Sequence, residues 1–178
     1  MSLSPSDRTH RIRPATLADV VGIVAMIREL AEFERLSHLC EVTPERLRPH
    51  LFGERPMAEC LVAEAPPLAA GDDPSSRPAD GLAAFALYFH NFSTFLAKPG
   101  LYLEDLYVRP SQRGTGLGKA LLQSLGRVAV ERGCGRFEWS VLDWNENAIR
   151  FYEKMGATVL PDWRICRITG DGLKRFGA

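Results

Sequence analysis

A chain of 178 residues, 46% apolar and 25% charged, is long enough for one domain with a core of its own. Its 22 basic and 22 acidic residues cancel, so charge gives no reason to expect nucleic acid or an anionic membrane as a partner. Cys40, Cys60, Cys134 and Cys166 form no C-x-x-C pair, and with His10, His38, His50 and His90 they offer no metal-ligand spacing. They read as reduced thiols of a cytoplasmic protein that holds no metal. No apolar run approaches the roughly 20 residues that span a bilayer.

In chain order, Met1–His10 reads as a disordered tail, followed by a single domain over 11–170 and a short tail over 171–178. Arg11–Ala15 is an edge-strand candidate because of Pro14. Thr16-x-x-Asp19 is a capping-box signal, and Val20, Ile23, Ile27 and Leu30 continue it at helical spacing to about Phe33 or Glu34. The polar face of that helix ends in Glu29, Glu32 and Glu34, which read first as a solvated face. Thr43-Pro44-Glu45 starts a short helix ending near Phe52-Gly53. Glu59–Glu64 is a strand, Ala65–Asp80 a long Pro/Gly/Ser/Asp-rich hairpin loop, and Gly81–His90 a strongly apolar strand. Asn91–Gly100 reads as a loop carrying Phe92 and Phe95, and Leu101–Val108 as the central strand stopped by Arg109-Pro110.

The stretch Gln112-Arg113-Gly114-Thr115-Gly116-Leu117-Gly118-Lys119 follows that strand and opens a helix ending at Arg132-Gly133. Glycines at alternate positions leave backbone N–H groups uncovered at a helix N-terminus, where an anion is favoured. This is a phosphate cradle, with Arg113 and Lys119 adding positive charge. It is not a P-loop, because Arg113 stands where the first glycine belongs and Ala120 where Ser or Thr belongs. It is not a dinucleotide fingerprint either, since Lys119 occupies the place of the third glycine. Arg136–Val141 then reads as a strand, Asp143–Gly156 as a capped helix, and Trp163–Ile168 as the strand that closes the sheet.

With its preceding strand, Gln-Arg-Gly-x-Gly-x-Gly resembles the pyrophosphate loop of the GNAT N-acetyltransferases. The strand Leu101–Val108, this loop and the later run Asn145-x5-Phe151-Tyr152-x3-Gly156-Ala157 together look like the core of a GNAT enzyme. Arg13–Thr16, Glu29-Leu30-Ala31, Leu61–Glu64, Tyr102–Asp105 and Trp144-Asn145-Glu146 are more closely similar to the diamine (spermidine/spermine) N-acetyltransferases, a likeness running from about Ile12 to Ile168. The resemblance implies a mixed α/β GNAT fold: a central, mostly antiparallel sheet, splayed at its middle and flanked by helices. It implies acetyl-CoA as cofactor, a small-molecule amine as substrate and a homodimer.

By the same likeness, backbone groups of Leu106, Tyr107 and Val108 would bind pantetheine. Gln112, Arg113, Gly114, Thr115, Gly116, Leu117, Gly118 and Lys119 would hold the pyrophosphate. Asn145, Glu146, Asn147 and Ala148, with Tyr152, would contact the CoA arm from the other side.

An alkylammonium must lose a proton before it attacks, so the chemistry needs a base. Glu104 and Asp105 point to opposite faces of a regular strand. The family's glutamate at this place makes Glu104 the expected base and Asp105 a structural acid. Tyr152 matches the family's tyrosine that protonates the leaving thiolate; a phenol near its ordinary pKa of about 10 keeps that proton at neutral pH. The Leu106 N–H is the expected oxyanion donor.

For the substrate, Phe33, Glu34, Glu104, Glu138, Trp139, Ser140 and Asp162 are candidates for an acidic, aromatic-walled groove. Arg35–Cys40 carries fewer acids than polyamine-specific relatives do, which leaves room for lysine-like amines. The rival readings are a protein-lysine or aminoglycoside acetyltransferase, and a non-catalytic acyl-CoA-binding sensor.

Overall fold

A computed structural model describes residues 10–68, 71, 73 and 77–178; all of the tail expected over 1–10 except His10, and part of the loop over 65–80, lie outside the described residues. The chain forms two compact units, Met1–Ser140 and Val141–Ala178. The first unit contains β1 (Ile12–Pro14), α1 (Val20–Phe33), α2 (Pro44–Phe52), β2 (Glu59–Glu64), β3 (Leu82–Ser93), β4 (Lys98–Val108), α3 (Leu117–Glu131) and β5 (Arg136–Trp139). The second contains α4 (Glu146–Lys154) and α5 (Gly170–Phe176), so the segment expected as a C-terminal tail carries a helix.

The sheet has five strands in the order β1-β2-β3-β4-β5. The first three neighbour pairs are antiparallel and β4 with β5 is parallel, giving the expected mixed α/β architecture. One face carries Cys60 and Val62 of β2, Phe85 and Leu87 of β3, and Tyr107 of β4, packed with Ile23 and Met26 of α1 and Leu51 of α2. α3 packs on β2, β3 and β4 across the other face. Phe85 is fully buried, so its truncation would forfeit the burial of a whole aromatic ring, a loss of about 3–5 kcal/mol.

Local start signals work as read. The Asp19 carboxylate accepts from the Thr16 N–H at 2.7 Å and from its hydroxyl at 2.8 Å, opening α1 through a single 3-10 turn. The Thr43 hydroxyl accepts the Arg46 N–H at 3.3 Å, and Pro44 occupies the first turn of α2. Gly133 and Gly156 adopt positive φ (67° and 92°) just past the ends of α3 and α4.

Two expectations are corrected. Asn91–Gly100 is not a loop: β3 and β4 pair as far as Ser93 opposite Lys98, leaving a tight turn at 94–97. Cross-strand pairing, including Phe89 and Tyr102 rings 5.1 Å apart, outweighs the poor strand propensity of Asn91, Pro99 and Gly100. Trp163–Ile168 forms no strand, and its large apolar side chains are exposed. Alternation supplies only a preference, and a strand needs a ladder partner to persist.

Candidate active site

The site begins where the sheet splits. β5 pairs with β4 only from Gly100 opposite Arg136 to Leu103 opposite Trp139. From Glu104 to Val108 no strand of the described residues lies on the β5 side of β4, while β3 continues along the other side. Arg109 N–H donates to the Ala83 carbonyl at 3.0 Å, which fixes the phase of the β3–β4 ladder. Residues alternate between bonding the neighbour and facing away from it. Tyr107 is therefore bonded toward Phe85 of β3, whereas Leu106 and Val108 turn their N–H and C=O toward the split.

β4 is not regular at its acidic pair. Leu87 lies opposite Asp105 but Tyr88 lies opposite Leu103, so Glu104 is the extra residue of a β-bulge. Alternation then no longer separates the faces of Glu104 and Asp105 as in a regular strand. Asp105 shares the α1 face with Leu87, and Leu103 is sent to the α3 face with Tyr88. Glu104 is exposed and Asp105 half-buried. Burial, with the negative charges of Glu104 and Glu34, pushes the Asp105 carboxyl up to about 7. Glu34, at the end of α1, is itself raised by burial.

β4 leads through Arg109 into the glycine loop. Gly114 (φ 78°) and Gly116 (φ 83°) are left-handed, and a Cβ at either would meet nothing within 4 Å. The demand for glycine there is conformational, and the space above the loop is open. Gly116 caps α3, whose first intrahelical bond runs from Ala120 N–H to the Gly116 carbonyl at 3.0 Å. The N–H groups of Leu117, Gly118 and Lys119 precede that bond and have no helical acceptor. Open space, uncommitted N–H groups and an exposed Lys119 fit a pyrophosphate. The Thr115 hydroxyl donates to the Gln112 carbonyl at 2.8 Å, and the Gln112 amide oxygen meets the His10 ring at 2.9 Å.

Arg113 plays a part that spacing alone does not show. Its guanidinium lies 5.3 Å from the Phe33 ring and 5.6 Å from the Tyr107 ring, while Nε donates to the Val108 carbonyl at 3.0 Å. Phe33, expected as a substrate wall, is thereby tied to the glycine loop. Glu138 accepts from the Asn91 amide at 2.6 Å and pairs with Arg136 at 3.2 Å. The Tyr102 hydroxyl meets Ser140 at 2.8 Å, and the Trp139 ring lies 4.9 Å from Phe137.

In the second unit the Asn145 side chain caps α4 by accepting the Ala148 N–H at 3.2 Å. Arg150 donates to Glu146 at 2.9 Å and to Asn147 at 2.8 Å. The Tyr152 ring lies 5.4 Å from Phe151, and Asp162 is exposed.

Sequence reasoning passed over Arg109, read only as the residue that stops β4. It is 8% exposed and spends its whole fork. It donates to Glu29 at 2.9–3.2 Å, to both oxygens of Asp80 at 2.6 and 2.8 Å, and to the Leu82 carbonyl at 2.9 Å. It thus ties α1, the end of the 65–80 segment and the root of β3 to the entrance of the glycine loop. A hollow of about 550 Å³ bordered by Glu29, Asp80, Arg109 and Ser111 adjoins this clamp and includes none of the expected catalytic residues. An arginine between a strand and a glycine-rich loop is the signal that was available.

A split parallel pair feeding a glycine-capped helix is matched by family comparison: the Acetyltransferase (GNAT) family model covers residues 28–157. The chain belongs to the GNAT acetyltransferase family. As a GNAT protein with close acetyltransferase relatives, it is an acetyl-CoA-dependent enzyme. It is 40% identical to a thialysine N-epsilon-acetyltransferase of Mus musculus, over 93% of this chain and 96% of that one. It is 39% identical to L-ornithine N5-acetyltransferase NATA1 of Arabidopsis thaliana, over 92% of this chain and 86% of that one. Identity to a human spermidine/spermine N(1)-acetyltransferase-like protein 1 is 30%, over 92% of this chain but 23% of that one. The GNAT fold recurs in an integron cassette protein of V. cholerae, with TM-score 0.73, 23% identity, and 94% and 97% of the two chains covered. Among the described residues no helix is long and apolar enough to cross a membrane.

Proposed function

We propose that this GNAT enzyme transfers the acetyl group of acetyl-CoA to the side-chain amine of a small lysine-like molecule by direct attack. The carrying observation is the edge of β4 at Leu106 and Val108, paired with no described strand although the Val108 carbonyl also accepts from Arg113 Nε, running directly into the glycine cradle of α3. That edge offers donors and acceptors to an extended amide chain, and the cradle offers N–H groups to a pyrophosphate. Acetyl-CoA supplies the activated thioester. In this reading the Leu106 N–H steadies the carbonyl oxygen, and Lys119 and the first turn of α3 hold the phosphates. Asn145 to Ala148 complete the CoA contacts, and Tyr152 returns a proton to the departing sulfur. Glu34 and Glu104 draw the ammonium in.

The lysine-like choice rests on the thialysine and ornithine relatives, both near 40% identity, against 30% for the spermidine/spermine-like one. The test is thiol release from acetyl-CoA across thialysine, ornithine, lysine, putrescine, spermidine, spermine, an aminoglycoside and a lysine peptide. Preference for the amino acids by tenfold or more in kcat/KM is expected, and preference for the polyamines would overturn the substrate class. Replacing Tyr152 by Phe is expected to lower kcat about 100-fold with acetyl-CoA affinity nearly unchanged. Unaltered turnover would take Tyr152 out of the mechanism.

A further inference from the structure

Asp105, rather than serving only as a structural acid, is the group we propose takes the ammonium proton of the substrate; this rests on the amine-acetyltransferase reading above. Three features of its placement carry the assignment. The bulge at Glu104 turns Asp105 onto the α1 face, toward Glu34, whose charge it feels. It stands two residues beyond the last β4–β5 pair and directly before Leu106, whose N–H faces the split. A base there is adjacent to the donor that would hold the carbonyl under attack.

Its surroundings, like those of Glu34, differ from those of the part-buried carboxylates that receive an arginine. Arg13 pairs with Asp19 and Glu64, Arg132 with Glu59, and Arg109 with Glu29 and Asp80. Among the described residues Asp105 has no such cation. The titratable groups around it are Glu104 on β4, Glu34 at the end of α1, and the buried Cys60 thiol on β2. All three are neutral or negative, so each leaves or drives the carboxyl toward holding a proton. With Asp105 pushed up to about 7, transfer from an alkylammonium near 10.4 is uphill by about 3 units instead of the roughly 6 that an ordinary carboxylate faces.

The proton balance closes. The N–H bond of the ammonium breaks as an O–H bond forms on Asp105, leaving a lone pair on nitrogen. That pair forms the C–N bond to the acetyl carbon while the C–S bond breaks. The second nitrogen proton offsets the one delivered to sulfur, and Asp105 releases its own to solvent.

The experiment compares wild type, Asp105→Asn and Glu104→Gln in kcat/KM against pH, with acetyl-CoA affinity measured by titration. The wild type is expected to show a limb rising through about pH 7. Asp105→Asn should lose that limb and about 100-fold in kcat/KM while binding acetyl-CoA within about twofold. Glu104→Gln should weaken KM and keep the limb, shifted to lower pH by removal of a neighbouring negative charge. Persistence of limb and rate in Asp105→Asn would overturn the assignment. Carboxyl 13C NMR on the wild type gives a readout without any variant: an Asp105 midpoint near neutrality supports the proposal, and one near 4 overturns it. A neutral midpoint in a wild type that turns over no amine of the panel would sink the amine reading instead.

Discussion

Gly116 shows how much one backbone angle carries. It sits at φ 83°, yet an added Cβ would meet nothing within 4 Å, so Gly116→Ala tests conformational strain without a clash. The expected cost is about 1–2 kcal/mol in chemical denaturation. Acetyl-CoA affinity should fall about tenfold, because relaxing the angle re-aims the N–H groups that open α3. Asp105 carries a different signature. Its folded carboxyl holds a proton more tightly than an unfolded one, so its contribution to stability is full below about pH 4. It declines as pH rises toward 7 and then levels off. Asp105→Asn should remove that decline, raising stability at pH 8 by on the order of 2–4 kcal/mol and leaving it little changed at pH 4. Thermal melts at the two pH values check this. The glycine was legible in the sequence because a left-handed turn selects its residue locally. The role of Asp105 was not, because it depends on a bulge and on Glu34, a residue on another element.

At the scale of elements, the Arg109 clamp joins α1, the root of β3 and the entrance to the glycine loop. Burial raises the Asp80 carboxyl, but the hydrogen bonds and charge of Arg109, with the Leu82 N–H, outweigh it and hold it below its ordinary range. Replacing Arg109 by Met leaves Glu29 and Asp80 facing one another without a cation. An expected loss of about 3 kcal/mol or more follows, since the uncompensated charges and not merely the lost bonds set the cost. Arg109→Lys should recover only part of it, because a single ammonium cannot reproduce the fork that reaches two carboxylates and a carbonyl. Urea unfolding of both variants, with unchanged stability in Arg109→Met as the contrary result, decides the matter. Here the sequence showed Glu29 as one of several acids on a polar helix face. Its partner lies 80 residues away, and no periodicity names it.

For the whole molecule, we propose a homodimer, with the exposed apolar side chains of the second unit as support. Trp163, Ile165, Leu173 and Phe176 are each more than half exposed, and the strand-like run Trp163–Ile168 has no ladder partner in the described chain. Sedimentation equilibrium is expected to give a dimer, and Trp163→Asp with Ile165→Asp to shift it toward monomer at micromolar concentration. A wild-type monomer would remove the proposal. What the sequence determined by itself were features whose causes lie within a few residues: the caps of α1, α2 and α4, the helix-ending glycines, the cores of β2, β3 and β4, and the left-handed glycine turn before α3. The tertiary structure alone decided where β5 stops beside β4, where the bulge inserts Glu104, how far the β3–β4 hairpin extends, and which carboxylates receive an arginine. Dihedral limits and side-chain-to-backbone bonds act locally, so they are written in neighbouring letters. Register and charge pairing are settled between segments distant in the chain, and only folding brings those segments together.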